Sequence, residues 1–116
     1  MTNKKQYTVK DGDKALKKGD PEAAYGIYKF INAPKEKFVG CMNLALKLME
    51  TPEKGQYSGT YVNSCKELGI EPDKEKIIQY ADGLVNLANT GWYEAAINQY
   101  RFTKSIDKLY SLKKKI

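Results

Sequence analysis

The sequence contains no histidine and only two cysteines among its 116 residues. Because histidine is the commonest general base, its absence excludes serine–histidine and cysteine–histidine nucleophile pairs and zinc sites that need imidazole. Cys41 and Cys65 are too few for a four-thiolate metal site, and they make a poor disulfide framework. We expect both to be reduced thiols that are partly buried in helices.

The sequence also lacks the glycine-rich loops that bind phosphate groups in nucleotide-dependent proteins. The segment Asp11-Gly12-Asp13 is similar to the start of a calcium loop, but the remaining ligands and the closing glutamate are missing, so we interpret it as a turn. No catalytic arrangement of side chains can be identified. We therefore expect a protein that is not an enzyme and that carries no cofactor and no metal.

No stretch approaches the roughly 18 apolar residues that a membrane span needs. The polar and basic residues 1–10 do not contain the apolar core of a secretory signal. We expect a cytoplasmic protein with no membrane partner. The length favours one domain, which we place at residues 11–116 behind a flexible basic arm at residues 1–10.

The net charge of +6 is concentrated at the two ends of the chain. Residues 1–18 carry a charge of +4 and residues 101–116 a charge of +5, whereas residues 19–100 carry −3. A nucleic-acid-binding protein usually places its basic residues along one working face. Two basic ends can still meet on one side of a short curved structure, so this class of partner stays open.

Three glycines, Gly19, Gly55 and Gly91, follow one another at a spacing of 36 residues, and we interpret them as turns. Residues 19–31 and 91–102 match best, since both contain Glu-Ala-Ala and a Tyr-(Lys/Arg)-Phe sequence. Such a period is typical of repeat proteins, in which each repeat is one supersecondary unit.

Each repeat has the pattern of a helical hairpin. Asp20-Pro21 begins a helix as a cap and first residue, and Pro34 separates it from a second helix with an apolar face. Further helices are predicted at about 52–68, after Pro72, and at about 92–112, with a short one at about 13–18. The predicted fold is all-α, a short α-solenoid of five to six antiparallel helices in two and a half repeats.

The period and the opening sequence Gly-Asp-x-Glu-Ala-x-Tyr resemble the Sel-one-like repeats, which are relatives of the tetratricopeptide repeats. Residues 19–50 match best, and residues 73–80 are similar to the start of a second helix in that family. The sequence departs from the family at Tyr28, where a glycine is usual, and in its degenerate middle repeat. The resemblance implies an α-solenoid fragment that acts as a protein-interaction scaffold.

The repeat register selects the residues that would line one face of such a solenoid. The first equivalent set is Tyr25, Tyr61 and Ile97, and the second is Lys29, Cys65 and Arg101. Tyrosine and arginine are frequent in the energetic centres of protein interfaces, and the two cations would favour an acidic partner. The alternative is that the tyrosines pack between adjacent repeats.

The main functional hypothesis is therefore a protein- or peptide-binding module, either an adaptor or a small inhibitor. The second hypothesis is nucleic-acid association through the basic ends and tyrosine stacking. A third is self-association, because the open ends of a solenoid bury apolar surface against another copy unless they are capped.

Overall fold

The computed structural model describes residues 6–51, 57–86 and 90–114, and the side chains of these residues apart from 90–93 and 113. The described residues are all-helical and contain no strand, which confirms the predicted all-α class. They form seven helices: α1 Val9–Lys17, α2 Pro21–Phe30, α3 Lys37–Leu48, α4 Ser58–Leu68, α5 Lys74–Asn86, α6 Thr90–Phe102 and α7 Ile106–Lys113. No helix in these ranges is long and apolar enough to cross a membrane.

The chain folds into two compact units. Unit 1 comprises Met1–Ala45 and Gly59–Pro72, and unit 2 comprises Leu46–Ser58 and Asp73–Ile116. Unit 1 therefore contains α1, α2 and most of α3 and α4, whereas unit 2 contains α5, α6 and α7. The predicted boundary between an arm at residues 1–10 and one domain at residues 11–116 stays a prediction.

In unit 1, the core lies where α1, α2 and α3 meet. Its centre is formed by four buried side chains: Ala24, Tyr28, Phe38 and Cys41. The helices α1 and α2 come together at Gly12, where an added Cβ would lie 2.2 Å from Cε1 of Tyr28. A glycine is required there, because any side chain would overlap the tyrosine ring.

Local sequence sets the starts of the first two helices. Thr8 and Asp11 form a capping box at α1, in which the Thr8 amide donates to Oδ2 of Asp11 at 2.8 Å. Asp20 caps α2, since its Oδ1 accepts a hydrogen bond from the Ala23 amide at 3.0 Å, and Pro21 occupies the first helical position. The predicted start of this helix is confirmed.

Four helices end in the same way, with a left-handed residue that closes the last turn. In each case the next amide bonds back to a carbonyl in the last turn, as in a Schellman motif, at 2.8–3.0 Å. The left-handed residues are Gly19 after α1, Asn32 after α2, Gly69 after α4 and Lys104 after α6, with φ of 81°, 52°, 67° and 57°. Two of these positions lack the glycine that normally signals such an end.

In unit 2, α5 packs on α6 and α6 packs on α7. The buried side chains of these three helices are Ile77, Tyr80, Ala81, Leu84, Ala96, Tyr100 and Leu112. The predicted helix after Pro72 thus supplies Ile77, Ala81 and Leu84, which recur at helical intervals, to a core.

Several predictions about individual helices are wrong. The expected single helix at about 92–112 is two helices, because the chain turns at Lys104, and Ile106 and Tyr110 lie exposed on the second of them. Asp11-Gly12-Asp13 lies within α1 and is not a turn, because Gly12 packs on Tyr28. Gly91 lies inside α6 rather than in a turn, whereas Gly55 falls outside the described residues.

The count of five to six helices is likewise too low for the described part of the chain, where the break at Lys104 adds a seventh. The helix predicted from about residue 52 is seen from Ser58, since residues 52–56 are outside the described ranges. The short first helix begins at Val9, earlier than expected.

Candidate interaction surface

Tyr25 and Lys29 of α2 are brought together by Glu67 of α4 within unit 1. The Lys29 ammonium forms an ion pair with the Glu67 carboxylate, and the Tyr25 hydroxyl donates to the same oxygen at 3.4 Å. The hydrogen bond from Lys29 lowers the pKa of Glu67, and the same bond raises the pKa of Lys29. The Lys29 side chain remains 59% exposed, so its charge faces solvent while it is held by Glu67.

The ring of Tyr25 is half-buried and packs edge-on against Phe38, with ring centroids 5.3 Å apart. Burial, followed by the charge of Glu67, raises the pKa of the Tyr25 hydroxyl. Tyr25 thus has one edge in the core and its hydroxyl in the network with Glu67. This placement is typical of a tyrosine that combines packing with a polar contact.

Tyr61 and Cys65 lie one turn apart on α4, and both are buried, at 4% and 1% exposure. Burial raises the pKa of the Cys65 thiol, and a hydrogen bond with Tyr61 acts in the opposite direction. A partner could not contact either side chain without a rearrangement of unit 1. Burial of Tyr61 agrees better with the alternative that the tyrosines pack inside the protein than with the interpretation that they line a binding surface.

Ile97 and Arg101 lie on α6 of unit 2, one turn apart. Ile97 is half-buried and Arg101 is exposed. The six nominated residues are therefore divided: Tyr25, Lys29, Tyr61 and Cys65 lie in unit 1, and Ile97 and Arg101 lie in unit 2. Both nominated cations are exposed, Lys29 in unit 1 and Arg101 in unit 2.

Next to each of these cations lies an exposed phenylalanine that was not nominated. Phe30 is 73% exposed at the end of α2, and Phe102 is 47% exposed at the end of α6. The sequence carried the signal, since both residues belong to the matched Tyr-(Lys/Arg)-Phe sequences. Phe30 also packs edge-on with Tyr7 and borders an apolar groove of about 340 Å³ that is lined by Tyr7, Ala23, Gly26, Ile27 and Phe30.

The tyrosines of the same two sequences point the other way, into the cores. Tyr28 donates a hydrogen bond to Oδ1 of Asp13 at 2.5 Å, and Lys37 approaches that oxygen at 3.4 Å. The hydrogen bond from Tyr28 lowers the pKa of Asp13. Burial and the bond to Asp13 raise the pKa of Tyr28.

Unit 2 contains an equivalent network. Tyr100 donates to Oδ1 of Asp82 at 2.7 Å, and Lys108 contacts both carboxylate oxygens of Asp82 at 3.1 Å. Burial and the bond to Asp82 raise the pKa of Tyr100. In each unit a tyrosine, an aspartate and a lysine from three successive helices are thus joined, which fixes the helix end that carries the exposed phenylalanine.

Metal-binding clusters are absent from the described residues, in which no three histidine, cysteine, aspartate or glutamate side chains are grouped to hold an ion. Comparison of the chain with protein-family models found no match, and neither the curated proteins nor the solved structures included one of significant similarity.

Proposed function

We propose that this protein is an interaction module that binds a protein partner through exposed side chains at the ends of α2 and α6. The observation that carries the proposal is the exposure of Phe30 and Phe102, each directly after a solvent-facing cation, Lys29 or Arg101. Large aromatic side chains flanked by cations are typical of the energetic centres of interfaces.

We further propose that the chain is built of helical-hairpin repeats, as the resemblance to the Sel-one-like repeats implies. The support is local and comes from residues that are 72 positions apart. Tyr28 and Tyr100 each donate to an aspartate, and Asn32 and Lys104 each adopt a left-handed conformation four residues later. The segments around Tyr28 and Tyr100 share both a sequence and a local geometry, which favours an origin from one ancestral hairpin.

The proposed contact residues are a revised set. Lys29 and Arg101 are kept, Phe30 and Phe102 are added, and Tyr25 and Ile97 are half-buried residues nearby on the same helices. Tyr61 is assigned to packing because it is buried. The partner is expected to carry negative charge where it meets Arg101, because this cation forms no ion pair with a described residue, whereas Lys29 is paired with Glu67.

Site-specific photo-crosslinking in cells that express the protein tests this proposal. A benzophenone amino acid replaces Phe30 in one variant and Phe102 in another, and exposed Asn43 and Asn86 in two matched controls. We expect discrete protein adducts from positions 30 and 102 and none of the same mass from 43 and 86. Identical adducts from all four positions, or none at 30 and 102, would contradict the proposal.

Nucleic-acid association is the competing proposal, based on the basic ends of the chain. It has less support, because stacking needs exposed rings and four tyrosines, Tyr28, Tyr61, Tyr80 and Tyr100, are buried. Retention of RNA or DNA that falls steeply with salt would favour it over protein binding.

A further inference from the structure

The turn between α6 and α7 presents apolar side chains to solvent among cations. We name this surface the basic corner and define it by the exposed residues Arg101, Phe102, Lys104, Ile106, Tyr110 and Lys114. Ile106 is 63% exposed, Tyr110 67% and Phe102 47%. Three large apolar side chains are therefore exposed within nine residues of the chain, which makes this segment a candidate interaction surface.

The fold of unit 2 holds these side chains outward. The left-handed conformation of Lys104 turns the chain, and the Ser105 amide closes the turn on the Tyr100 carbonyl at 2.8 Å. Leu112 is 2% exposed and anchors α7. Because Ile106 and Tyr110 are four residues apart on this helix, they lie side by side on its opposite, solvent-facing side.

The charges of the basic corner are available to a partner. Lys108 is used within unit 2, where it contacts Asp82 at 3.1 Å. By contrast, Arg101, Lys104 and Lys114 form no ion pair with any residue that the structure describes. The six residues that define the basic corner include these three cations and no acidic residue, so the surface carries an excess of positive charge.

We propose that the basic corner binds an acidic, amphipathic helical segment of a partner protein, an inference that rests on the protein-binding function proposed above. Apolar residues on one face of that segment would cover Ile106, Tyr110 and Phe102, and its carboxylates would pair with Arg101, Lys104 and Lys114. An amphipathic helix supplies both kinds of group at a spacing of three and four residues.

Two other anionic occupants fit this surface less well. A membrane-bound helix needs a broad apolar face, whereas the large apolar side chains that α7 exposes, among those the structure describes, are Ile106 and Tyr110. A nucleic acid would stack on the aromatic rings of Phe102 and Tyr110, but it would leave Ile106, which is 63% exposed between them in the chain, without an apolar partner. A protein segment satisfies both the apolar and the charged groups.

Selection of random peptides of about 16 residues, roughly four helical turns, on the immobilised full chain tests the proposal. Bound peptides are then counter-selected on the double variant Ile106→Ser/Tyr110→Ser. We expect peptides that survive both steps to have a negative net charge and apolar residues three and four positions apart. Their affinity should fall by about tenfold or more on the double variant and on Arg101→Glu/Lys104→Glu.

The matched control is Ile70→Ser, which removes a 49% exposed apolar side chain from unit 1 and should leave the affinity of these peptides unchanged. Thermal unfolding establishes that each variant is folded. Failure to select any peptide, selection of neutral or basic peptides, or equal binding to the double variant would overturn the proposal.

Three parallel measurements identify the ligand of the basic corner if it is not an acidic helical segment of a protein. Binding to phosphatidylserine vesicles or to RNA that the double variant loses would identify a membrane or nucleic-acid surface instead. A particle mass in light scattering that falls on double substitution would identify a second copy. If the photo-adducts at positions 30 and 102 survive in the double variant, protein binding stands and only the basic-corner assignment fails.

Discussion

Tyr100 repeats the environment of Tyr28, 72 residues further along the chain. Each phenol is buried, at 3% and 0% exposure, and each donates to an aspartate of the preceding helix in its own unit. Each tyrosine also supplies the carbonyl oxygen that closes the following turn. The Tyr100 carbonyl accepts from the Ser105 amide at 2.8 Å, and the Tyr28 carbonyl accepts from the Ala33 amide at 2.9 Å. The side chain and the backbone of one residue therefore both stabilise the helix end.

Removal of either hydroxyl should destabilise the protein moderately. We expect Tyr28→Phe and Tyr100→Phe each to lower the free energy of unfolding by about 1 kcal/mol, because an intramolecular hydrogen bond is lost while the ring still fills its site. Urea denaturation measures the change. The control is Tyr110→Phe, since that ring is 67% exposed and its replacement should have no effect. Equal stability of Tyr100→Phe and the parent protein would contradict this prediction.

The close approach of α1 and α2 makes Gly12 sensitive to any added side chain. Its Cβ would lie 2.2 Å from Tyr28, so we expect Gly12→Ala to destabilise the protein by about 1–3 kcal/mol through overpacking. Gly26→Ala on α2 is the matched control, because no atom lies within 4 Å of its Cβ. There the gain in helix propensity should stabilise the protein by up to about 1 kcal/mol. A loss of stability at both positions would show that the close contact is not the cause.

The two left-handed residues that are not glycine are positions at which glycine should be favourable. We expect Lys104→Gly to stabilise the protein by about 0.5–1 kcal/mol, since a left-handed conformation is costly for a residue with a Cβ. Asn32→Gly should gain less, because asparagine adopts this conformation more easily. Gly19→Ala, at φ 81°, is the reverse control and should destabilise the protein. Chemical denaturation of the three variants decides the ranking, and a loss of stability for Lys104→Gly would contradict it.

The sequence predicted the helix faces well because they depend on spacing within one helix. Phe38, Cys41 and Ala45 recur at helical intervals and are buried. The turn at Lys104 was missed because a lysine gives no signal for a left-handed residue. The helical state of Gly12 was missed because Asp-Gly-Asp favours turns, and only the ring of Tyr28 explains the glycine.

The candidate site was predicted less completely for a similar reason. The register identified Lys29 and Arg101, which are exposed, but the partners of these helix ends come from other helices. The contact of Tyr28 with Asp13, or of Tyr100 with Asp82, depends on how two helices cross. Single-sequence periodicity contains no information on that crossing. It also could not separate buried Tyr61 from half-buried Tyr25.

Acid should weaken unit 1 through Glu67 and Asp13. The pKa of Glu67 lies below its ordinary value of 4.5 and that of Asp13 below 3.8, chiefly because of hydrogen bonds from Lys29 and Tyr28 respectively. A carboxylate with a lowered pKa contributes stability that is fully present above its unfolded pKa and is lost as the pH falls through its folded pKa. We therefore expect the free energy of unfolding to decline as the pH is lowered past these ordinary values.

The variant Glu67→Gln separates this contribution from general acid effects. Its stability should depend less steeply on pH in the acid range than that of the parent protein, whereas Glu71→Gln, at an exposed position outside the helices, should keep the parent slope. On the alkaline side the sign is reversed, because the raised pKa of Lys29 gives stability that is lost as the pH rises through it. Parallel pH profiles for Glu67→Gln and the parent would contradict the assignment.

Both cysteines should be protected from alkylation in the folded protein. Cys41 is 0% and Cys65 1% exposed, and burial raises the pKa of Cys41 to about 11. At about pH 8.5 an ordinary thiol is half ionised, so the native protein should react with iodoacetamide far more slowly than a free thiol does. Mass spectrometry at increasing urea concentrations follows both sites, and the variant Ser111→Cys supplies an exposed thiol in the same chain as a reactive control. Rapid labelling of Cys41 without urea would mean that unit 1 opens locally around α3, and labelling that begins only with global unfolding would establish α3 as part of its most stable core.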